Sequence, residues 1–157
     1  MTVSEADAKK YALRLLSYRG RSERELTEKL RTRGFGPDVI VSTLEYLKRA
    51  GFVDDALLAE SLKRQAYENK LYGYGGAKLF LAQRGLSKEV IEAALDYDET
   101  VELEKVYKLV ARKKGTAGKS QTVQDRRRLW NFLARRGYSP ETIKKAMRSQ
   151  DIDEEAL

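Results

Sequence analysis

The chain of 157 residues contains no cysteine and no histidine. Disulfides and thiolate metal sites are therefore excluded, and no imidazole is available as a base or a ligand. An enzyme built from this composition would rely on carboxylates, lysines and tyrosines. No carboxylate cluster or metal motif accompanies them, so neither catalysis nor a cofactor is expected. Only two prolines occur, which permits long uninterrupted helices. No apolar run approaches the roughly 18 residues of a membrane span, and residues 1–20 lack the apolar stretch of a leader. The expected location is the cytoplasm, with no membrane contact.

What the chain does have is a repeat. Gly34, Gly85 and Gly137 lie 51 and 52 residues apart in like surroundings: Leu30-Arg31-Thr32-Arg33-Gly34-Phe35, Leu81-Ala82-Gln83-Arg84-Gly85-Leu86 and Leu133-Ala134-Arg135-Arg136-Gly137-Tyr138. Four residues before each glycine stands a leucine (Leu30, Leu81, Leu133). Six after stand Ile40, Ile91 and Ile143, and ten after stand Leu44, Leu95 and Met147. A period of this length marks a supersecondary unit that cannot bury its apolar face alone, so neighbours stack and share a core.

Within the first unit, Tyr11, Leu15 and Tyr18 form one apolar stripe, Leu26 and Leu30 a second, and Val39, Ile40, Leu44 and Leu47 a third, all at helical spacing. Glycines 20, 34 and 51 mark the helix ends with left-handed cap geometry, and Ser22 with Glu25 has capping-box spacing. Pro37 and Pro140 fall three residues past a repeat glycine, where proline suits a first helical turn; Ser87 and Ser139 are the expected N-caps. Asp54 or Asp55 opens a helix reaching about Asn69. The segment from Leu71 to Gly76 is the least helical, and its three glycines imply either a mobile joint or a close backbone contact. A helix over about 101–114, a linker over 115–120 and helices near 122–136 and 140–149 complete the chain, with an acidic tail after Asp151 expected to fray. The fold class is all-α: tandem three-helix repeats over 1–53, 54–100 and 101–157, about nine helices forming an elongated, curved, solenoid-like monomer.

The net charge of +7 is unevenly spread. Residues 1–53 carry 11 basic and 7 acidic side chains, residues 54–100 carry 6 and 9, and residues 101–157 carry 14 and 8. Basic ends with a less basic middle suit a protein lying along a polyanion or an acidic groove. Gly118-Lys119-Ser120 has the look of the end of a phosphate-binding loop, but Lys113 stands where that motif needs its first glycine, and a helical pattern precedes it in place of a strand. The cations around that linker are more telling. Arg112, Lys113, Lys114 and Lys119 precede, and Arg126, Arg127, Arg128, Arg135 and Arg136 follow, with Asp125 the only acid between 105 and 140. On a helix over 122–136, Leu129, Phe132, Leu133 and Arg136 share one face, leaving Arg127, Arg128 and Arg135 mostly off it, available to phosphates or carboxylates. Trp130 aligns with Thr27 and Lys78, which places it away from the shared core, to stack on a partner or pack against a neighbouring unit. Tyr72 and Tyr74 pose the same choice.

The tandem pattern resembles the RecX family, bacterial regulators of the RecA recombinase, over nearly the whole chain. The resemblance rests on Ser22-x-x-Glu25-Leu26-x-x-Lys29-Leu30-x-x-Arg33-Gly34-Phe35, on Gly51-Phe52-Val53-Asp54-Asp55 and on Arg126-Arg127-Arg128-Leu129-Trp130-Asn131-Phe132-Leu133-Ala134-Arg135-Arg136-Gly137-Tyr138. It implies three-helix repeats and a regulator that lies in the groove of the RecA filament on single-stranded DNA and restrains ATPase, strand-exchange and co-protease activities. The residues expected to contact partner or nucleic acid are Lys113, Lys114, Lys119, Arg126, Arg127, Arg128, Trp130 and Arg135. Leu57 and Tyr74-Gly75-Gly76 stand where the family tends to place arginines, which implies a middle unit that binds less electrostatically. The alternative is a helical DNA-binding module that acts through phosphate contacts without a protein partner.

Overall fold

The computed structural model describes residues 4–117 and 122–155, with side chains over 4–113 and 122–149. Among them are nine α-helices and no strand: α1 (Glu5–Tyr18), α2 (Glu23–Thr32), α3 (Pro37–Arg49), α4 (Asp55–Arg64), α5 (Tyr74–Gln83), α6 (Lys88–Ala94), α7 (Glu99–Ala117), α8 (Val123–Arg135) and α9 (Pro140–Glu155). A π-helical turn over Gln65–Asn69 follows α4 directly.

Local chemistry sets most helix starts. Ser4, Ser22 and Thr122 each close a capping box with the acid three residues on, which satisfies two otherwise orphaned backbone donors. Ser87 and Ser139 accept from the backbone N–H groups of Val90 and Thr142. Asp54 accepts from Leu57 N, whereas Asp55 reaches across to accept from Glu23 N at 3.1 Å. Burial raises the Asp55 carboxyl above its ordinary value, ahead of the lowering by that backbone donor. Gly34, Gly51, Gly85 and Gly137 all have positive φ, which lets the chain turn at each helix end without a Cβ penalty.

Gly20 departs from its expected left-handed cap: it is absent from the positive-φ glycines, and α1 ends in extended backbone at Arg19. Two helix ends also differ from the sequence expectation. α7 continues through Gly115 to Ala117, and α9 runs to Glu155 over the acidic tail read as frayed. In both cases the preceding turn of the same helix supplies carbonyl partners that propensity alone undervalues.

The chain forms two compact units. One comprises residues up to Leu62 with Leu81–Ala94, the other Lys63–Phe80 with Leu95 onward. In the first, Ala8, Leu30, Phe35 and Ile40 form one buried cluster, and Ala12, Leu26, Leu47 and Val53 another. In the second, Leu71, Val106, Leu109, Val110, Leu133, Tyr138, Ile143 and Ala146 form the core. The register leucines Leu30, Leu81 and Leu133 are each 0% exposed, and burying such a side chain contributes about 1.5–3 kcal/mol.

One joint recurs in each compact unit. In the first, Ser22 Oγ donates to the Arg84 carbonyl at 2.6 Å, Arg84 Nη2 donates to the Gly20 carbonyl at 2.8 Å, and Arg84 Nε lies 3.2 Å from Glu25 Oε2. In the second, Gly73 N donates to the Arg136 carbonyl at 2.9 Å and Arg136 Nη1 donates to the Lys70 carbonyl at 2.5 Å. Each time, an arginine ahead of a left-handed glycine grips the turn one sequence repeat earlier with both its backbone and its side chain.

The glycine-rich segment is therefore a close backbone contact and not a mobile joint. Tyr138 Oη donates to the Leu71 carbonyl, Lys105 Nζ to the Tyr72 carbonyl, and Gly75 N to the Gly137 carbonyl, while Tyr74 N reaches Glu102 Oε1 at 2.6 Å. Leu71, at φ 52°, is the only non-glycine with positive φ among the described residues. Its strain is held by the buried carbonyl contact from Tyr138 and by its place in the apolar core.

Candidate functional site

α8 is an amphipathic helix of extreme composition. Leu129, Phe132 and Leu133 turn inward to the core of the second compact unit, and Arg126, Arg127, Arg128 and Arg135 are all exposed. Arg128 and Arg135, two helical turns apart, share a stripe, with Arg127 beside it. The one acid on this helix is committed elsewhere: Asp125 accepts from Thr122 N at 3.1 Å within the capping box. That bond, then the Thr122 hydroxyl and the nearby Arg128 charge, hold the Asp125 carboxyl below its ordinary value. Arg126 lies in the first helical turn and Arg127 and Arg128 follow at once, at the end where the helix dipole disfavours cations.

Further cations are positioned by aromatic rings on the same compact unit. Lys113 Nζ lies 3.8 Å from the Phe132 ring centroid, and the Arg136 guanidinium lies 4.9 Å from that ring and 5.8 Å from Tyr72. Lys70 Nζ stands 5.7 Å from Tyr72 and 5.5 Å from Phe80, and the Tyr72 and Phe80 rings meet edge to face at 5.9 Å. Cation–π contacts of this kind hold a charge over a ring without neutralising it. The result is a ladder in which Phe80, Tyr72 and Phe132 alternate with Lys70, Arg136 and Lys113.

Of the residues expected at the site, Lys113, Arg126, Arg127, Arg128 and Arg135 are exposed on α7 and α8. Lys119 and the Lys114 side chain lie outside the described residues. Trp130 differs from its expected outward position: it is half-buried and packs against the core of the second compact unit. Its indole is large enough to reach inward from a flank where Thr27 and Lys78 do not. Tyr74 is also turned to structure, edge to face with Tyr97 at 5.6 Å. Sequence reading missed Lys70, Phe80 and the double placement of Arg136. A signal was available in the sequence: Lys70 stands two before Tyr72, and Arg136 four after Phe132, so basic and aromatic residues interleave at short spacing.

Behind the ladder lies a buried ion pair. Lys105 Nζ lies 2.6 Å from Glu102 Oε2, with side-chain exposures of 6% and 3%, and 3.3 Å from the Tyr67 ring centroid. Burial holds the Lys105 ammonium below its ordinary value despite the opposing hydrogen bond and charge of Glu102. Burial likewise raises the Tyr67 and Tyr138 phenols. Lys105 and Tyr138 donate to the Tyr72 and Leu71 carbonyls and Glu102 accepts from Tyr74 N, so this network fixes the turn that carries Lys70 and Tyr72. No group of acids able to hold a metal ion occurs among the described residues, and no described helix is long and apolar enough to cross a membrane.

These features define an all-helical protein of tandem three-helix domains that presents a cationic face on one helix. The first three-helix domain of RecX matches residues 8–56, and its third three-helix domain matches residues 100–147. Regulatory protein RecX of Stenotrophomonas maltophilia strain R551-3 is 38% identical over 142 residues, 90% of this chain and 86% of that protein. Regulatory protein RecX of Mycolicibacterium smegmatis is 35% identical over 86% of this chain and 74% of its own. The crystal structure of RecX from Lactobacillus salivarius shares the fold, with a TM-score of 0.82 at 23% identity, covering 94% of this chain and 97% of that one. The chain belongs to the RecX family of regulatory proteins.

Proposed function

We propose that the chain binds the RecA filament on single-stranded DNA and inhibits RecA recombinase, ATPase and co-protease activities, as a cytoplasmic monomer without catalysis of its own. Its place would be in DNA repair by homologous recombination and in the SOS response. The observation that carries this reading is the row of exposed arginines on α8, in a protein whose relatives are regulatory proteins. Arg127, Arg128 and Arg135 are the main contacts, supported by Lys113 and by the sequence neighbours Lys114 and Lys119. The division into repeats over 1–53, 54–100 and 101–157 belongs to the same proposal, with the third repeat dominant. The test is RecA ATP hydrolysis on single-stranded DNA with and without the purified protein: a dose-dependent fall supports the reading, and an unchanged rate at stoichiometric excess overturns it.

The same arginines favour one second reading, a DNA-binding module without a protein partner. Salt separates the two. Binding through phosphates alone weakens steeply between low and moderate salt as counterions are released, whereas a protein interface with an apolar component retains affinity.

A further inference from the structure

A second concentration of positive charge lies on the first compact unit. An open cavity of about 750 Å³ is walled by Arg19, Arg21, Arg24 and Lys29 and bordered by Ala82 and Gly85. The two acids on its wall are already committed: Glu25 pairs with Arg19 at 3.0 Å and with Arg84 at 3.2 Å, and Glu28 pairs with Arg31 at 3.5 Å. Among the described residues no acid pairs with Arg21, Arg24 or Lys29. Arg21 Nε is buried and has no hydrogen-bond acceptor. Burial and then the positive charge of Arg19 hold the Arg21 guanidinium below its ordinary value; Glu25 opposes this and Arg84 adds to it. A buried donor without an acceptor is unfavourable, and the fold leaves the Arg21 Nε uncommitted to any acceptor of its own.

The walls indicate the class of ligand. Three uncommitted cations on one open cleft match a multiply charged group, and arginine forks fit phosphate oxygens in pairs. The volume lies within the range of nucleotide-sized sites. Thr32 and Gln83 complete the wall with uncharged donors and acceptors, of the kind that meet sugar and base edges. The small residues Ala82 and Gly85 leave room for them.

We propose that this cavity is a phosphate-binding site. Its ligand is either the phosphodiester backbone of single-stranded nucleic acid or a free oligophosphate group. The proposal does not depend on RecA recognition, and RecA is absent from its test, so its failure would leave the ATPase experiment above untouched.

Two probes are titrated with the full chain. The first is a fluorescein-labelled oligothymidine of about 20 nucleotides, longer than a typical single-strand site, read by anisotropy. The second is sodium tripolyphosphate, read by calorimetry. Changing Arg21, Arg24 and Lys29 together to Ala is expected to weaken the bound probe on the order of 10-fold or more. For the oligonucleotide, the slope of log affinity against log salt should fall by about 2. The equal-charge control, Lys10, Arg14 and Arg49 to Ala, is expected to change affinity less than about 2-fold. Arg24→Ala with Lys29→Ala alone touches only exposed side chains, so it keeps the test open if loss of Arg21 disturbs folding; it should lower the slope by about 1. Oligonucleotide binding identifies the nucleic-acid backbone as the source, and tripolyphosphate binding alone identifies a free phosphate. Binding of neither probe, or equal losses in the cavity and control variants, overturns the proposal.

Discussion

Gly137 and Gly76 meet backbone to backbone, and neither position has room for a side chain. A Cβ on Gly137 would collide with the Gly76 amide and stand 2.8 Å from the Gly75 carbonyl carbon; a Cβ on Gly76 would collide with the Arg136 carbonyl oxygen. A Cβ on Gly73 would lie 2.7 Å from the same strip of chain. Four glycines from two segments of sequence make one seam.

The seam separates two costs that glycine substitutions usually mix. Gly34 has φ +97° but open space around its Cβ direction, whereas Gly137 has φ +93° and a backbone in the way. Gly34→Ala should cost about 1–2 kcal/mol, the left-handed penalty alone. Gly137→Ala should cost on the order of 3–5 kcal/mol, because backbone cannot step aside as a flexible side chain can. Urea denaturation checks both; equal losses would mean that the seam opens freely.

Leu30, Leu81 and Leu133 are buried equivalents, so alanine at any of them should cost on the order of 2–5 kcal/mol. A loss below about 0.5 kcal/mol, typical of surface substitutions, at two of the three positions would break the repeat register.

The Glu102–Lys105 pair holds the turn at Tyr72 and Tyr74 from inside. Glu102→Ala leaves a buried ammonium without its partner and should cost about 3–5 kcal/mol. A double-mutant cycle with Lys105→Met should show strong coupling. Additive losses would mean that the two side chains act independently.

Glu25 ties the α2 capping box to Arg84 and Arg19. Burial raises its carboxyl, but hydrogen bonds from Ser22 N, Arg84 and Arg19 outweigh burial, and the net shift is downward. A carboxylate lowered in the fold gives stability that is full above the unfolded value, about pH 4.3. That stability is lost as pH falls through the lower folded value. Acid denaturation of Glu25→Gln should therefore be less steep below about pH 4.3 than that of the wild type. Identical acid limbs would remove Glu25 from the linkage.

For the α8 face, changing Arg127, Arg128 and Arg135 together to Glu should abolish RecA inhibition while circular dichroism stays helical, since all three side chains are exposed. Lys10, Arg14 and Arg49 changed to Glu alter net charge equally on exposed positions of the first compact unit and should weaken inhibition less. Equal losses would indicate general polyanion attraction. Full inhibition by the α8 triple would remove these arginines from the mechanism.

Several site features were legible because their causes are local. That Arg127, Arg128 and Arg135 point outward follows from 3.6-residue periodicity, and Asp125 is the only acid between 105 and 140 to set against them. Trp130 was harder, because the same periodicity puts it on the flank of α8, where inward or outward packing depends on a neighbour that sequence spacing does not name. Arg136 was hardest. It reads as one more cation in a basic run, yet it grips the Lys70 carbonyl and lies over the Phe132 and Tyr72 rings.

By itself the sequence determined the helical class, the caps other than that at Gly20, the leucine register, the family and the excess of cations on α8, because each arises from interactions within a few residues or from patterns that repeat along the chain. Only the tertiary structure decided that the Leu71–Gly76 turn is clamped, that Asp55 caps α2, and that Glu25 is drawn between two arginines. These depend on which side chains and backbone groups meet across some thirty to sixty-odd residues of chain. Glycine content shows that a close approach is permitted at such a turn; packing decides whether anything arrives.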